Sequence, residues 1–144
     1  MASLWLVDPK KVAFPRVANP TKAELKLGSK PLVDLSGLQQ AIKTGALGDD
    51  DVWPATRRAE NNLEDLKWIF GDLLDCIACL SSADFKGAEW CEDRNGNWHP
   101  CDAYAIRYDH LAKCRVRYSD INYYLKFSLE EDGALTLVLI SCHL

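Results

Sequence analysis

The 144-residue chain has no apolar run near the roughly 20 residues that a membrane-spanning helix needs. Its N-terminal apolar stretch covers residues 4–7 and ends at Asp8, too short for the core of a signal peptide, so a cytoplasmic protein is expected. There is no surplus of positive charge: 17 basic residues face 21 acidic ones, for a net charge of −4. That balance argues against a non-specific duplex-DNA binder. Glycine-rich phosphate loops, the nucleophile elbow of serine hydrolases and the paired-histidine helix of zinc proteases are all absent from the sequence. No repeat or low-complexity segment occurs.

What is present is an ordinary globular mixture, 48% hydrophobic and 26% charged. A chain of this length buries about 70% of its unfolded surface, enough to fold without disulfides or metal. Its six cysteines are therefore expected as free thiols. The charge is unevenly placed. Residues 1–31 hold six basic and two acidic side chains, residues 43–93 five basic and twelve acidic, and residues 103–126 five basic and two acidic. A mildly acidic protein of this kind can still present a basic face.

Residues 1–31 read as an N-terminal extension packed on a body formed by 32–144. Four prolines break it, leaving room for an edge strand at 4–7 and a short helix at 20–27. Helical spacing of Leu35, Leu38 and Ile42, stopped by Gly45, predicts a helix over 34–44. A polar turn or two is expected at 55–62. The strongest helical pattern runs over 63–80, divided at Gly71-Asp72 with Asp72 as a cap.

Beyond Ser82 the period changes to two. Strands are predicted at 85–91 and 98–108, the second interrupted by Pro100, with Asn95-Gly96 as the hairpin turn. A polar, basic insertion at 109–120 follows. Residues 121–129 alternate: Ile121, Tyr123, Leu125, Phe127 and Leu129 on one face, Asn122, Tyr124, Lys126 and Ser128 on the other. Residues 135–142 form a near-continuous apolar strand, buried on both faces. The expected fold is α+β, with N-terminal helices packed on a twisted antiparallel sheet.

Two constellations carry chemistry. Cys76 and Cys79 have metal-ligand spacing, as, more loosely, do Cys91, His99, Cys101, His110 and Cys114. Cys76 and Cys79 lie on an apolar helix face, where cysteine packs as a small hydrophobe, and no metal is expected. The second constellation is the polar face carrying Tyr124 and Lys126, with His143 just after the last strand. Tyrosine, lysine and histidine are the groups that metal-free RNA cleavage needs: a base for the ribose 2′-OH, an acid for the 5′-oxygen, and a cation for the transition-state charge. By spacing alone the simpler reading is a solvated sheet face.

A set of short segments in fixed order resembles the MqsR (motility quorum-sensing regulator) family, RelE-like mRNA-cleaving toxins of bacterial toxin–antitoxin pairs. They are Val33-Asp34-Leu35 through Lys43-Thr44-Gly45, Thr56-Arg57-Arg58-Ala59, Leu73 through Ala83-Asp84-Phe85, Tyr124-Leu125-Lys126, and Leu139-Ile140-Ser141-Cys142-His143. The resemblance covers about residues 32–144. It implies a metal-independent endoribonuclease, without cofactor, that cuts single-stranded mRNA, free or on the ribosome. It also implies an antitoxin protein as partner. The family's functional tyrosine falls on Tyr124 and its C-terminal lysine on His143. The lysine after the Asp-Phe motif is matched by Lys86 one residue early, a shift that on a strand reverses the face. Cys101 stands where the family has glutamine.

The expected catalytic set is thus His143, Tyr124, Lys126 and Lys86. Arg107, Arg115, Arg117 and Tyr104 are expected to hold RNA, as cations interleaved with stacking aromatics, among which Tyr108 and Tyr118 also fall. His99 is expected as a surface residue or a second proton carrier. Trp53, Trp68 and Trp90 are expected as core or interface residues. The alternatives are a non-catalytic protein-binding module on the same scaffold and a small zinc module built on Cys91, His99, Cys101 and Cys114.

Overall fold

The structure is a computed structural model that describes residues 3–117 and 121–144. Three helices pack on one face of a strongly curled sheet. They are α1 (Leu35–Thr44), α2 (Arg57–Leu66) and α3 (Phe70–Ala78). The strands are β1 (Lys26–Gly28), β2 (Val52–Pro54), β3 (Phe85–Glu92), β4 (Trp98–Asp109), β5 (Cys114–Arg115), β6 (Asn122–Glu130) and β7 (Thr136–His143). Their order in space is β1-β3-β4-β6-β7-β2, with β5 folded back on β4. No helix among the described residues is long and apolar enough to cross a membrane.

Local chemistry explains the helix ends. The Asp34 carboxylate accepts the Gly37 N–H at 3.2 Å to open α1, and Gly45 closes it at φ +83°, a conformation that suits glycine. Thr56 opens α2 by accepting the Ala59 N–H at 3.0 Å. The expected division at Gly71-Asp72 lies earlier, at residues 67–69, where Lys67 turns left-handed (φ +58°) and Trp68 drops into the core. Asp72 still serves the entry to α3, accepting the Ile69 N–H at 2.9 Å.

Period-two patterning holds through the sheet. Tyr104, Ile106, Tyr108, Tyr123, Leu125, Phe127, Leu129, Leu137, Leu139 and Cys142 all face the helices and form the main core. β4 is continuous through Pro100, which pairs with Trp90 on β3. The β4–β6 ladder begins only at Asp102↔Phe127, so the missing proline N–H breaks no bond there. Ser128, expected in solvent, is fully buried, and its hydroxyl donates to the Pro100 carbonyl at 2.7 Å.

Three expectations are corrected. The sheet is mixed, because β2 runs parallel to β7 (Val52↔Leu137 to Pro54↔Leu139). In place of a helix at 20–27 the chain makes turns and then the edge strand β1 against β3. In place of a strand at 4–7 there is a single bridge, Trp5 to Val33.

Residues 3–31 are nevertheless tied firmly to the body. Leu6 N–H donates to the Leu32 carbonyl at 2.8 Å, and Trp90 Nε1 donates to Ala13 at 2.9 Å. Phe14 packs against Trp90 and Trp98. Beneath this arm lies Asp102, fully buried on β4, whose carboxylate accepts the N–H groups of Leu32 and Val33 at 3.0 Å. Burial pushes its carboxyl pKa up, against the pull of those two donors. Asp102→Ala leaves both amides without a partner. We predict that it lowers stability by about 2 kcal/mol, read as a lower urea midpoint at unchanged slope.

Candidate active site on the outer face of the sheet

The face of the sheet away from the helices changes character along its length. At one end the β3–β4 hairpin curls over to meet β2. Arg94 N–H donates to the Ala55 carbonyl at 2.8 Å, and its guanidinium reaches the Pro54 carbonyl at 2.7 Å and Glu60 at 2.7 Å. This closes a minor core of Ala55, Cys101, Val138 and Ile140, with Trp53 and Cys91 at its margin. His99 is buried there. Its Nε2 lies 2.7 Å from the Asp93 carboxylate, which also caps the turn through the N–H groups of Asn95 and Asn97. Burial would raise the Asp93 carboxyl, and these hydrogen bonds more than offset it, leaving its pKa lowered. His99 is therefore a hairpin-locking residue at the closed end, not a surface one.

In the middle of the face, Lys126 on β6 forms an ion pair with Glu89 on β3. Burial alone would lower the ammonium pKa, but the hydrogen bond to Glu89 outweighs it, so Lys126 is held charged. Its charge is already matched by the carboxylate.

At the open end, Tyr124 on β6 stands directly opposite His143 on β7. Their rings stack with centroids 5.6 Å apart and planes at 25°. Arg58 of α2 reaches over β7 and places its guanidinium 3.2 Å from His143 Nε2. His143 Nδ1 lies 2.9 Å from the Leu144 main-chain oxygen. A guanidinium only donates and a main-chain oxygen only accepts. The network therefore assigns neutral His143 the tautomer with hydrogen on Nδ1 and a lone pair on Nε2. Tyr124 is 45% exposed, so this group faces solvent.

Arg58 reaches that position because α2 is pinned to β7. A bulge opposite Lys126 and Phe127 leaves Ile140 unpaired on β7. The Thr56 hydroxyl donates to the Ile140 carbonyl at 2.6 Å, and the Asn62 side-chain oxygen accepts the Cys142 N–H at 3.0 Å. Arg58 lies within the Thr56-Arg57-Arg58-Ala59 segment, and nothing in that segment's residue types alone marks it as functional. The visible signal is its place two residues after the helix-capping Thr56.

The other expected residues divide. Arg107, opposite Asn122, shares the face of Tyr124, and its guanidinium donates to the Arg117 carbonyl at 3.4 Å. Arg107 and Arg117 are thus neighbours at the open end, and both are exposed. Lys86 lies apart, lining with Lys26, Gly28 and Glu89 a groove of about 390 Å³ between β1 and β4.

Tyr104 is not available to stack on RNA. It is 2% exposed on the helix-facing side, between Phe85 and Phe127. Tyr108 is likewise core, and Tyr118 lies outside the described residues. Arg115 is drawn away from the site by an ion pair to Asp84 and by bonds to the Cys79 carbonyl at 3.3 Å and Ser81 Oγ at 3.4 Å.

The proposed zinc ligands do not converge. Cys114 is exposed on β5, Cys101 is buried in the minor core, and His110 packs on Trp68. Among the described residues no group of three or more His, Cys, Asp or Glu side chains is arranged to hold a metal ion. All six cysteines are free thiols.

The Arg115–Asp84 pair has a measurable pH signature. Burial would raise the Asp84 carboxyl, but hydrogen bonds from Arg115 and Ser81 bring it below the ordinary range. A carboxyl with a lower pKa folded than unfolded stabilises the protein above about pH 4, and that contribution fades as pH falls through the folded value. Arg115→Gln is expected to lower Tm by about 3 °C at neutral pH. Melting curves should show the gap from wild type narrowing below about pH 4.

Compared with known proteins, this chain matches no family model, no curated protein and no solved structure.

Proposed function

We propose that the chain is a metal-independent endoribonuclease that cuts single-stranded mRNA, the toxin half of a type II toxin–antitoxin pair of the MqsR-like kind. The observation that carries this reading is the Tyr124–His143 stack with Arg58 on His143 Nε2. Base, donor and cation are adjacent, the tyrosine and arginine exposed and the histidine half-buried, and all are backed by the sheet.

The chemistry follows from the atoms. Phosphate of the bound strand draws Arg58 off Nε2, as a guanidinium pairs more strongly with phosphate than with a neutral imidazole. The freed lone pair on His143 takes the proton of the ribose 2′-OH, and the 2′-oxygen attacks phosphorus. Arg58 and Arg107 stabilise the charge that builds on the phosphoryl oxygens. The bond to the 5′-oxygen breaks as the Tyr124 hydroxyl protonates it. The imidazolium then returns a proton to the phenolate, restoring both groups. The products are a 2′,3′-cyclic phosphate and a free 5′-OH. Lys126, matched by Glu89, holds the strand pairing around Tyr124 and leaves the charge work to the arginines. In this reading the antitoxin covers the open end of the sheet, and the messenger is cut free or on the ribosome.

Purified protein is expected to cut labelled single-stranded RNA in excess EDTA and leave cyclic phosphate ends. His143→Ala, Tyr124→Phe and Arg58→Ala should each slow cleavage by about 10²–10⁴. Cleavage that appears only with added divalent metal, or an undiminished rate in His143→Ala, would overturn the mechanism.

A further inference from the structure

Two thiols at the closed end of the outer face take no part in the chemistry at its open end. Cys91 on β3 stands opposite His99 on β4, and Glu89 stands opposite Cys101. Cys91 and Cys101 are therefore diagonal neighbours on adjacent strands, with side chains on the same face. Both belong to the minor core, Cys101 fully buried within it and Cys91 half-buried at its margin. The Cys101 thiol lies 3.3 Å from the His99 carbonyl and also hydrogen-bonds the Cys91 sulfur.

Burial quiets most thiols of this chain. It pushes those of Cys76, Cys79, Cys101 and Cys142 above the ordinary range. Cys91 is held below that range. The hydrogen bond from Cys101 outweighs burial, and the Lys126 ammonium adds to it against the opposing Glu89 carboxylate. Lys126 is itself kept charged by Glu89. The two sulfurs thus differ: one sits at the margin and ionises readily, the other is enclosed and stays protonated. The thiolate is the form that reacts with oxidants, and a second thiol beside it can capture the product.

We propose that Cys91 is a site of reversible oxidation by hydroperoxides, with Cys101 as the thiol that resolves it into a disulfide between β3 and β4. The Cys91 thiolate attacks one peroxide oxygen, the O–O bond breaks, and hydroxide leaves to take up the thiol proton as water. Cys91 is then a sulfenic acid. The Cys101 sulfur attacks the Cys91 sulfur, the S–O bond breaks, and the Cys101 proton leaves with that oxygen as a second water. The sulfurs lose two electrons and the peroxide gains them. A small thiol of the glutathione class reverses the step by exchange. The proposal does not depend on nuclease activity, since neither sulfur enters the cleavage chemistry.

The test treats the full chain with hydrogen peroxide, blocks remaining thiols with iodoacetamide and reads the peptides by mass spectrometry without reduction. Wild type should yield a Cys91–Cys101 linked pair, two hydrogens lighter than its parts and cleaved by glutathione. Cys101→Ala should yield no link and a Cys91 sulfenic acid trapped by dimedone. In untreated wild type, iodoacetamide should alkylate Cys91 at least about tenfold faster than Cys101 or Cys142, and Lys126→Gln should slow Cys91 about threefold. The wild-type measurements stand even where a variant folds poorly. Oxidation of Cys114 with Cys91 left as a free thiol would overturn the proposal. So would Cys91 oxidised in wild type without a link to Cys101, or alkylation of Cys91 no faster than that of the buried thiols.

Discussion

The outer edge of β7 is where the structure is decided. β2 pairs with β7 only as far as Leu139, and beyond it no strand among the described residues pairs with β7 on that side. Exposed strand edges leave main-chain groups unpaired and invite wrong pairing. Here the N-cap of α2 and one of its side chains close the gap, Thr56 on the Ile140 carbonyl and Asn62 on the Cys142 N–H. Thr56 does this with the same hydroxyl oxygen that caps its own helix. One residue thereby joins a helix start, a strand bulge and a sheet edge. Arg58 projects from the first turn of a helix fixed in this way, so its approach to His143 follows from the edge repair.

The rest of the outer face is graded by the same curl of the sheet. Where the hairpin folds over to β2, the surface is shut into a minor core and His99 is locked to Asp93. In the middle, Glu89 and Lys126 cancel each other. At the open end Arg58, Arg107 and Arg117 form no salt bridge with any described residue. Field that steers an anion is concentrated there, beside the Tyr124–His143 stack, although the chain as a whole is acidic. The acidic residues of α3 are largely spent on the 109–117 excursion, through Lys113 to Asp75 at 2.6 Å and to Asp72 at 3.6 Å.

Much of this was legible in the chain. Asp34 and Gly45 bracket α1 by ordinary capping, Asn95-Gly96 marks the hairpin, and alternation at 121–129 separates Tyr124 and Lys126 from the core. Other features leave little trace. β1 and β2 are three residues each, too short to show a period, and the parallel pairing of β2 depends on where the chain returns after α1. Tyr104 stands among arginines in the sequence, but its alternation with Ile106 and Tyr108 puts it on the packed face. Arg115 looks like its neighbours in sequence and is separated from them only by the carboxylate of Asp84 across the fold. Direct opposition of Tyr124 and His143 depends on a bulge and a turn whose register no local pattern records.

The central claim is that Arg58 holds His143 with a lone pair on Nε2, ready to take a proton. Long-range proton–nitrogen correlation NMR on ring-labelled protein above the histidine titration range reads this directly. The account predicts that His143 shows a protonated Nδ1 and an unprotonated Nε2, and that Arg58→Ala or Thr56→Val releases it to a mixture of tautomers. A wild-type His143 protonated on Nε2, or one averaging between tautomers as freely as in the variants, would contradict it.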